Sequence, residues 1–142
     1  YIMVGFPGAW KSSWIRSQLN PETTLVIKGD TYKTLPAFLK AAEEGHAAHP
    51  EKNLVFDTTG GTLERRAAYL AFARKIGFAV KCVWIQTDLK TALAQVKHRE
   101  ATEGVKVPAI ALYAYQKHFV APTEDECEVI KIASVPLVAP PL

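Results

Sequence analysis

No stretch of this chain is apolar for long enough to cross a membrane, so a membrane partner is not expected. A secretory signal is also missing. Tyr1 already reads as part of a first strand, so the chain looks like an excised domain and that absence excludes little. Cysteine is scarce, with only Cys82 and Cys127, both in apolar strand-like segments. They read as small buried hydrophobes, kept reduced in an intracellular setting, cytoplasmic or nuclear. No cluster of Cys and His has zinc spacing, and no internal repeat is visible. Neither charge sign dominates. Lys and Arg number 17 against 14 Asp and Glu, and the net charge of +3 permits an anionic ligand or nucleic acid without demanding one.

The 142 residues suit one domain, and 49% hydrophobic content is ample for a single core. The stretch that organises the chain is Gly5-Phe6-Pro7-Gly8-Ala9-Trp10-Lys11-Ser12. It follows the apolar run Tyr1-Ile2-Met3-Val4 and leads into a helix-like segment, Ser12 to Leu19. Strand, glycine-rich turn, Lys-Ser and helix is the order of a phosphate-binding loop. Backbone N–H groups of such a loop form a nest for a nucleotide phosphate, and the helix N-terminus adds its dipole. ATP is the expected ligand, with Gly5, Phe6, Pro7, Gly8, Ala9, Trp10, Lys11, Ser12 and Ser13 around it. Lys11 would reach the β- and γ-phosphates, and the Ser12 hydroxyl would ligate Mg²⁺. Trp10 stands where the motif has its second glycine. Its indole must turn out of the nest, or the nest is blocked and nucleotide binding is impaired.

Further strands are expected at Thr23–Lys28, Asn53–Asp57, Phe78–Gln86 and Cys127–Ile132. Helices are expected from the Thr34 cap to Ala48, from the Thr62 cap to Gly77, from the Asp88 cap to Arg99, and from Pro108 to Phe119. In the segment that starts at the Thr62 cap, Leu63, Ala67, Leu70 and Ala71 keep helical spacing. The polar stretch Glu100–Lys106 reads as a mobile lid. The kinase-like domain is expected over residues 1–132, followed by an irregular Pro-rich tail, 133–142. Strand–helix alternation argues for an α/β fold: a mostly parallel sheet of about five strands with helices on both faces. Ligands of such sheets lie beyond the carboxyl ends of the strands. The loop at Gly5, Asp30 and Asp57 all fall there.

Taken together, the motifs resemble the kinase domain of the eukaryotic polynucleotide kinase/phosphatase family, a P-loop kinase. Val4-Gly5-Phe6-Pro7-Gly8-Ala9 with Lys11-Ser12 matches that family's loop. Asp30-Thr31 stands where the family has Arg-Asp-Thr, and Phe56-Asp57-Thr58-Thr59 resembles its Asp-Asn-Thr-Asn element. His98-Arg99-Glu100 is similar to the lid's Phe-Arg-Glu, and the segment from Tyr113 to Pro122 to its Tyr-Gly-Tyr-Arg-Lys-x-Phe-x-x-Pro. The departures are Trp10 in the loop, Gly29 for the arginine before the aspartate, and Thr58 and Thr59-Gly60 for the paired asparagines. The family's fused phosphatase domain is not in this chain.

The resemblance implies transfer of the ATP γ-phosphoryl group to the 5′-hydroxyl end of DNA or RNA, as in nucleic-acid end repair. Asp30 suits the base that accepts the hydroxyl proton, and a turn aspartate is its bland alternative. Asp57 suits either Mg²⁺, through water, or the acceptor, or else a cap on the Gly60-Gly61 turn. Arg99 suits charge on the transferring phosphoryl and the nucleotide, against a solvated helix end. Asp30, Lys33, Asp57, Thr59 and Arg66 are the acceptor candidates, with Arg65 beside them. Trp10, Trp14, Trp84, Tyr113 and Tyr115 are stacking candidates but are more naturally core. His46 and His49 are expected in solvent. Two rival readings stay open: a P-loop kinase of a small alcohol or sugar, and a non-catalytic binding module with a degenerate loop.

Overall fold

The computed structural model describes residues 1–8 and 10–133. Its elements are β1 (Ile2–Val4), α1 (Lys11–Gln18), β2 (Thr24–Lys28), a 3-10 turn (Gly29–Thr31), α2 (Leu35–Ala48) and β3 (Asn53–Asp57). Then follow α3 (Leu63–Lys75), β4 (Lys81–Gln86), α4 (Leu89–Glu103), α5 (Ala109–His118) and β5 (Glu128–Ala133). The five strands make one sheet in the order β2-β3-β1-β4-β5, and every pairing is parallel. The α/β architecture expected from the alternation is present.

The two-residue period of a strand divides the core. Ile2 and Val4 of β1 and Leu54 and Phe56 of β3 turn to Phe38 and Ala42 of α2 and to Tyr69 and Leu70 of α3. Met3, Val55 and Val83 turn the other way, to Ile15 and Trp14 of α1. Helices therefore cover both faces of the sheet. Beyond its end, Phe6 is buried with Ala92 and Val96 of α4 and Leu112 of α5. Side-chain caps start three helices: Thr34 accepts the Ala37 N–H, Thr62 the Arg65 N–H, and Asp88 the Thr91 N–H.

Three boundaries or faces differ from the sequence expectation. β4 begins at Lys81, not at Phe78. Gly77 takes a positive φ of 83°, and the chain closes on α3 through Gly77 N–H to Arg74 O and Phe78 N–H to Ala73 O. This is a Schellman closure, so Phe78 is spent on the helix end. Second, the supposed lid is helical through Glu103, and α4 stops only at Gly104. Arg99 thus rides on a helix. Third, the buried residues of α3 are Arg66, Tyr69, Leu70, Phe72 and Ala73, whereas Leu63, Ala67 and Ala71 are exposed. His46 also packs edge-on against Phe78, with ring centroids 5.1 Å apart, instead of standing in solvent. The Pro-rich tail expected at 133–142 lies outside the described residues, apart from Ala133, which ends β5.

Candidate active site

Parallel strands bring the ends of β1, β2 and β3 side by side. β2 pairs with β3 so that Lys28 stands opposite Asp57. The turns that follow these strands line one cleft of about 960 Å³. Pro7, Gly8, Trp10, Lys11, Ser12 and Ser13 form one wall, and Asp30, Lys33, Asp57 and Thr59 face it. Arg99 comes in from α4, with its guanidinium 3.7 Å from where a Gly8 side chain would begin.

The loop is built tightly. The Gly5 N–H donates to the Thr59 carbonyl at 3.0 Å, and Gly5 and Phe6 are buried beneath the cleft. Lys11 Nζ donates to the carbonyls of Gly5 at 3.2 Å and Phe6 at 2.6 Å, which fixes the curl of the loop. Burial lowers the Lys11 ammonium to about 8, with Asp57 pulling it back up and Arg99 pushing it further down. Ala9 lies outside the described residues.

Trp10 sits at the N-cap of α1 with φ 65° and ψ 19°, the only non-glycine of positive φ among the described residues. The position keeps the left-handed backbone that a glycine favours, although the residue is a tryptophan. Its carbonyl still accepts the Trp14 N–H at 3.1 Å, so the first helical turn is made normally. The start of α1 is therefore intact with tryptophan at this position.

The Ser12 hydroxyl donates to Asp57 Oδ2 at 2.8 Å. Asp57 is thus engaged with the loop, and among the described residues its carboxylate makes no bond to the Gly60-Gly61 turn. Two hard oxygens at a strand end, beside a phosphate loop, fit Mg²⁺, which takes one or two protein ligands and completes its shell with phosphate and water. Among the described residues no group of three or more His, Cys, Asp or Glu side chains forms a metal cage. Asp30 lies in the 3-10 turn, exposed, and its carboxylate has no hydrogen bond or ion pair among the described residues. Asp30 is thus also the turn aspartate of the bland reading, the acidic residue in the first turn, although its side chain caps nothing there. Gly29 packs on β3, where an added Cβ would lie 3.2 Å from the Asp57 carbonyl; an arginine would crowd that contact.

Arg66 is corrected. It is fully buried, and its guanidinium donates to Glu126 at 2.8 and 3.3 Å and to the Gly60 carbonyl at 2.7 Å. Burial works against the Glu126 charge, but the Arg66 bonds and the Thr123 N–H outweigh it and hold the carboxyl below its ordinary value. Its neighbour Arg65 does line the cleft, as does Lys33. Arg99 spans one helical turn to Glu103 at 3.0 Å.

Sequence reading missed Lys28 and Arg16, both of which line the cleft. Lys28 is the last residue of β2, the position from which ligand contacts arise, and Arg16 stands one helical turn after Ser12. Tyr115 was weighed only as a stacking or core ring. It packs on Phe6 at 4.9 Å and donates its hydroxyl to Thr59 O at 2.9 Å. Trp14 pairs with Tyr1 and Trp84 with Phe119, while Tyr113 is exposed outside the cleft.

A family model described as an AAA domain matches residues 33–122, a span that begins after the phosphate loop. Among curated proteins, the chain is 29% identical over 126 residues to a bifunctional polynucleotide phosphatase/kinase of Schizosaccharomyces pombe. It is 30% identical over 129 residues to a putative bifunctional polynucleotide phosphatase/kinase of Acanthamoeba polyphaga mimivirus. Each match takes in 88% of this chain, and the chain spans only 30% of each relative's length. Among solved structures, a gluconokinase from Sinorhizobium meliloti superposes with a TM-score of 0.65 at 14% identity, covering 94% of this chain and 81% of that one. That likeness establishes the P-loop kinase fold.

Proposed function

The chain belongs to the AAA-domain family, and on that premise we propose that it is an ATP-dependent kinase that phosphorylates the 5′-hydroxyl end of a nucleic-acid strand. The observation that carries this reading is the free Asp30 carboxylate, which opens into the same cleft as Lys11 and the Ser12–Asp57 pair. A hydroxyl acceptor needs a base with an unengaged carboxylate, and the phosphates need the loop opposite it. The relatives' names, polynucleotide phosphatase/kinase, support the acceptor class.

In this reading Lys11 and the loop N–H groups hold the nucleotide phosphates. Ser12 and Asp57 would hold Mg²⁺, which would neutralise phosphate charge. Asp30 takes the proton of the acceptor hydroxyl as its oxygen attacks phosphorus. Arg99 meets the charge that develops on the transferring group. Lys28, Lys33 and Arg65 line the cleft with Asp30 and suit the backbone phosphates of a strand. The cleft then serves ATP and strand together, and a phosphatase domain elsewhere in the longer relatives would act on the same kind of strand.

A second reading is a kinase of a small alcohol or sugar acid, favoured by the fold shared with the gluconokinase. Labelled ATP offered with a 5′-hydroxyl oligonucleotide or with gluconate separates the two. The expected result is label in the oligonucleotide alone, lost in Asp30→Asn while ATP still binds. Label in gluconate alone, or undiminished transfer by Asp30→Asn, would overturn the proposal.

A further inference from the structure

At the amino ends of β4 and β5, away from the strand ends that line the cleft, the structure brings together the chain's two thiols. Cys82 Sγ and Cys127 Sγ are 2.7 Å apart, although the residues are 45 positions apart in sequence. Cys82 is the second residue of β4 and is fully buried, held between Ile2 of β1 and Val129 of β5. Cys127 immediately precedes β5 and is only half-buried. Its turn is pinned on the other side of the residue bond, because neighbouring Glu126 is gripped by buried Arg66 and its N–H donates to Thr123 O. We propose that Cys82 and Cys127 are a paired oxidation site, which a small-molecule disulfide such as glutathione disulfide converts to an intramolecular bond tying β4 to the entrance of β5.

The surroundings favour this chemistry over the other uses of two thiols. Among the described residues no third His, Cys, Asp or Glu stands with them to make a metal site. Cys82 is fully buried and Cys127 only half-buried, which favours Cys127 as the first to meet a reagent from solvent. Burial, and then the hydrogen bond to Cys127, push the Cys82 thiol up, which leaves Cys127 to attack first. The Cys127 thiolate attacks one sulfur of glutathione disulfide, forming a mixed disulfide and releasing one glutathione thiolate. Cys82 then gives up its proton and attacks Cys127 Sγ, releasing the second glutathione. Two protein thiols are oxidised and one disulfide is reduced to two thiols. The sulfurs need only close to a bonded separation of about 2.05 Å. The segment enclosed contains α4, α5 and Arg99, so the bond closes the whole excursion that carries the upper wall of the cleft.

The test is incubation of the folded chain with glutathione disulfide, followed by intact mass, alkylation of thiols after unfolding, and thermal unfolding. The expected product is a monomer that has lost two hydrogens and has no alkylable thiol. Its melting temperature should rise by roughly 10 °C, since the cross-link restrains a long segment of the unfolded chain. Dithiothreitol should restore the starting value, and Cys127→Ser should show no gain. A glutathione adduct on Cys127 with Cys82 still alkylable, or a disulfide-linked dimer, would each overturn the proposal. None of these readouts depends on whether the chain transfers phosphate.

Discussion

The Ser12 hydroxyl donates to the Asp57 carboxylate at 2.8 Å, joining the first turn of α1 to the end of β3 across 45 positions of sequence. This contact links the phosphate loop to the strand next to β1 and gathers the oxygens suited to Mg²⁺ in one place. It is exposed, so it contributes little to stability. Ser12→Ala and Asp57→Asn are therefore expected to leave the urea midpoint nearly unchanged. Each should reduce the gain in ATP affinity on adding Mg²⁺, on the order of tenfold or more. Titration calorimetry with and without the metal checks this, and an undiminished gain in both variants would remove the pair from the metal site.

Trp10 holds a left-handed backbone at the N-cap of α1. A non-glycine residue there is strained by about 1–2 kcal/mol. Trp10→Gly should recover part of that strain, offset by the larger entropy loss of glycine on folding. The net expectation is a small rise in urea midpoint together with tighter ATP binding. A clear loss of stability would mean that indole packing outweighs the strain.

The account of Arg66 makes a different demand. Breaking a buried ion pair from one side costs about 3–5 kcal/mol, because the other charge is left uncompensated. Arg66→Ala should thus be severely destabilising, while Arg65→Ala should be mild and act on the acceptor alone. The pair also sets an acid limit. The Glu126 carboxyl is held below its ordinary value, so its stabilising contribution is complete above the unfolded-state carboxylate range and is lost as pH falls through its lower folded value. Urea midpoints from neutral pH downward should fall more in the native chain than in Glu126→Gln. Equal slopes would contradict the assignment.

Arg66 also shows where sequence reading stops. Asp30, Asp57 and the phosphate loop were legible because each is a chemically distinctive residue at a predictable strand end. Arg66 was not, because a charge on a helix reads as a solvated face, and the partner that makes its burial tolerable is 60 positions away. The same blindness shifted the buried stripe of α3, whose first position is that arginine. Arg99 was legible as a residue near the loop but not as part of a helix, since polar composition alone suggested a lid while α4 continues to Glu103. The late start of β4 follows from a helix closure that hides inside an apolar run. The proximity of Cys82 and Cys127 depends on strand neighbours that only the sheet order reveals.

Lys11 provides a pH test of the loop. Burial lowers its ammonium to about 8. The cost of burying that charge is fully present below this value. It is relieved as pH rises from there to the unfolded lysine value, so this group makes the folded chain relatively more stable in that window. ATP affinity should move the opposite way, since phosphates favour the charged amine: strongest below pH about 8 and falling above it, by up to about tenfold per unit. Lys11→Met should bind more weakly and lose this dependence. A flat native profile across that range would contradict the role given to Lys11.

The most direct test of the central claim is transfer of the labelled γ-phosphate of ATP to a 5′-hydroxyl oligonucleotide by this chain, with Trp10→Gly and Asp30→Asn measured beside it. The expected result is labelling by the native chain, faster labelling by Trp10→Gly, and none by Asp30→Asn. Absence of label from both the native chain and Trp10→Gly, with both folded and binding ATP, would contradict the assignment of a nucleic-acid acceptor.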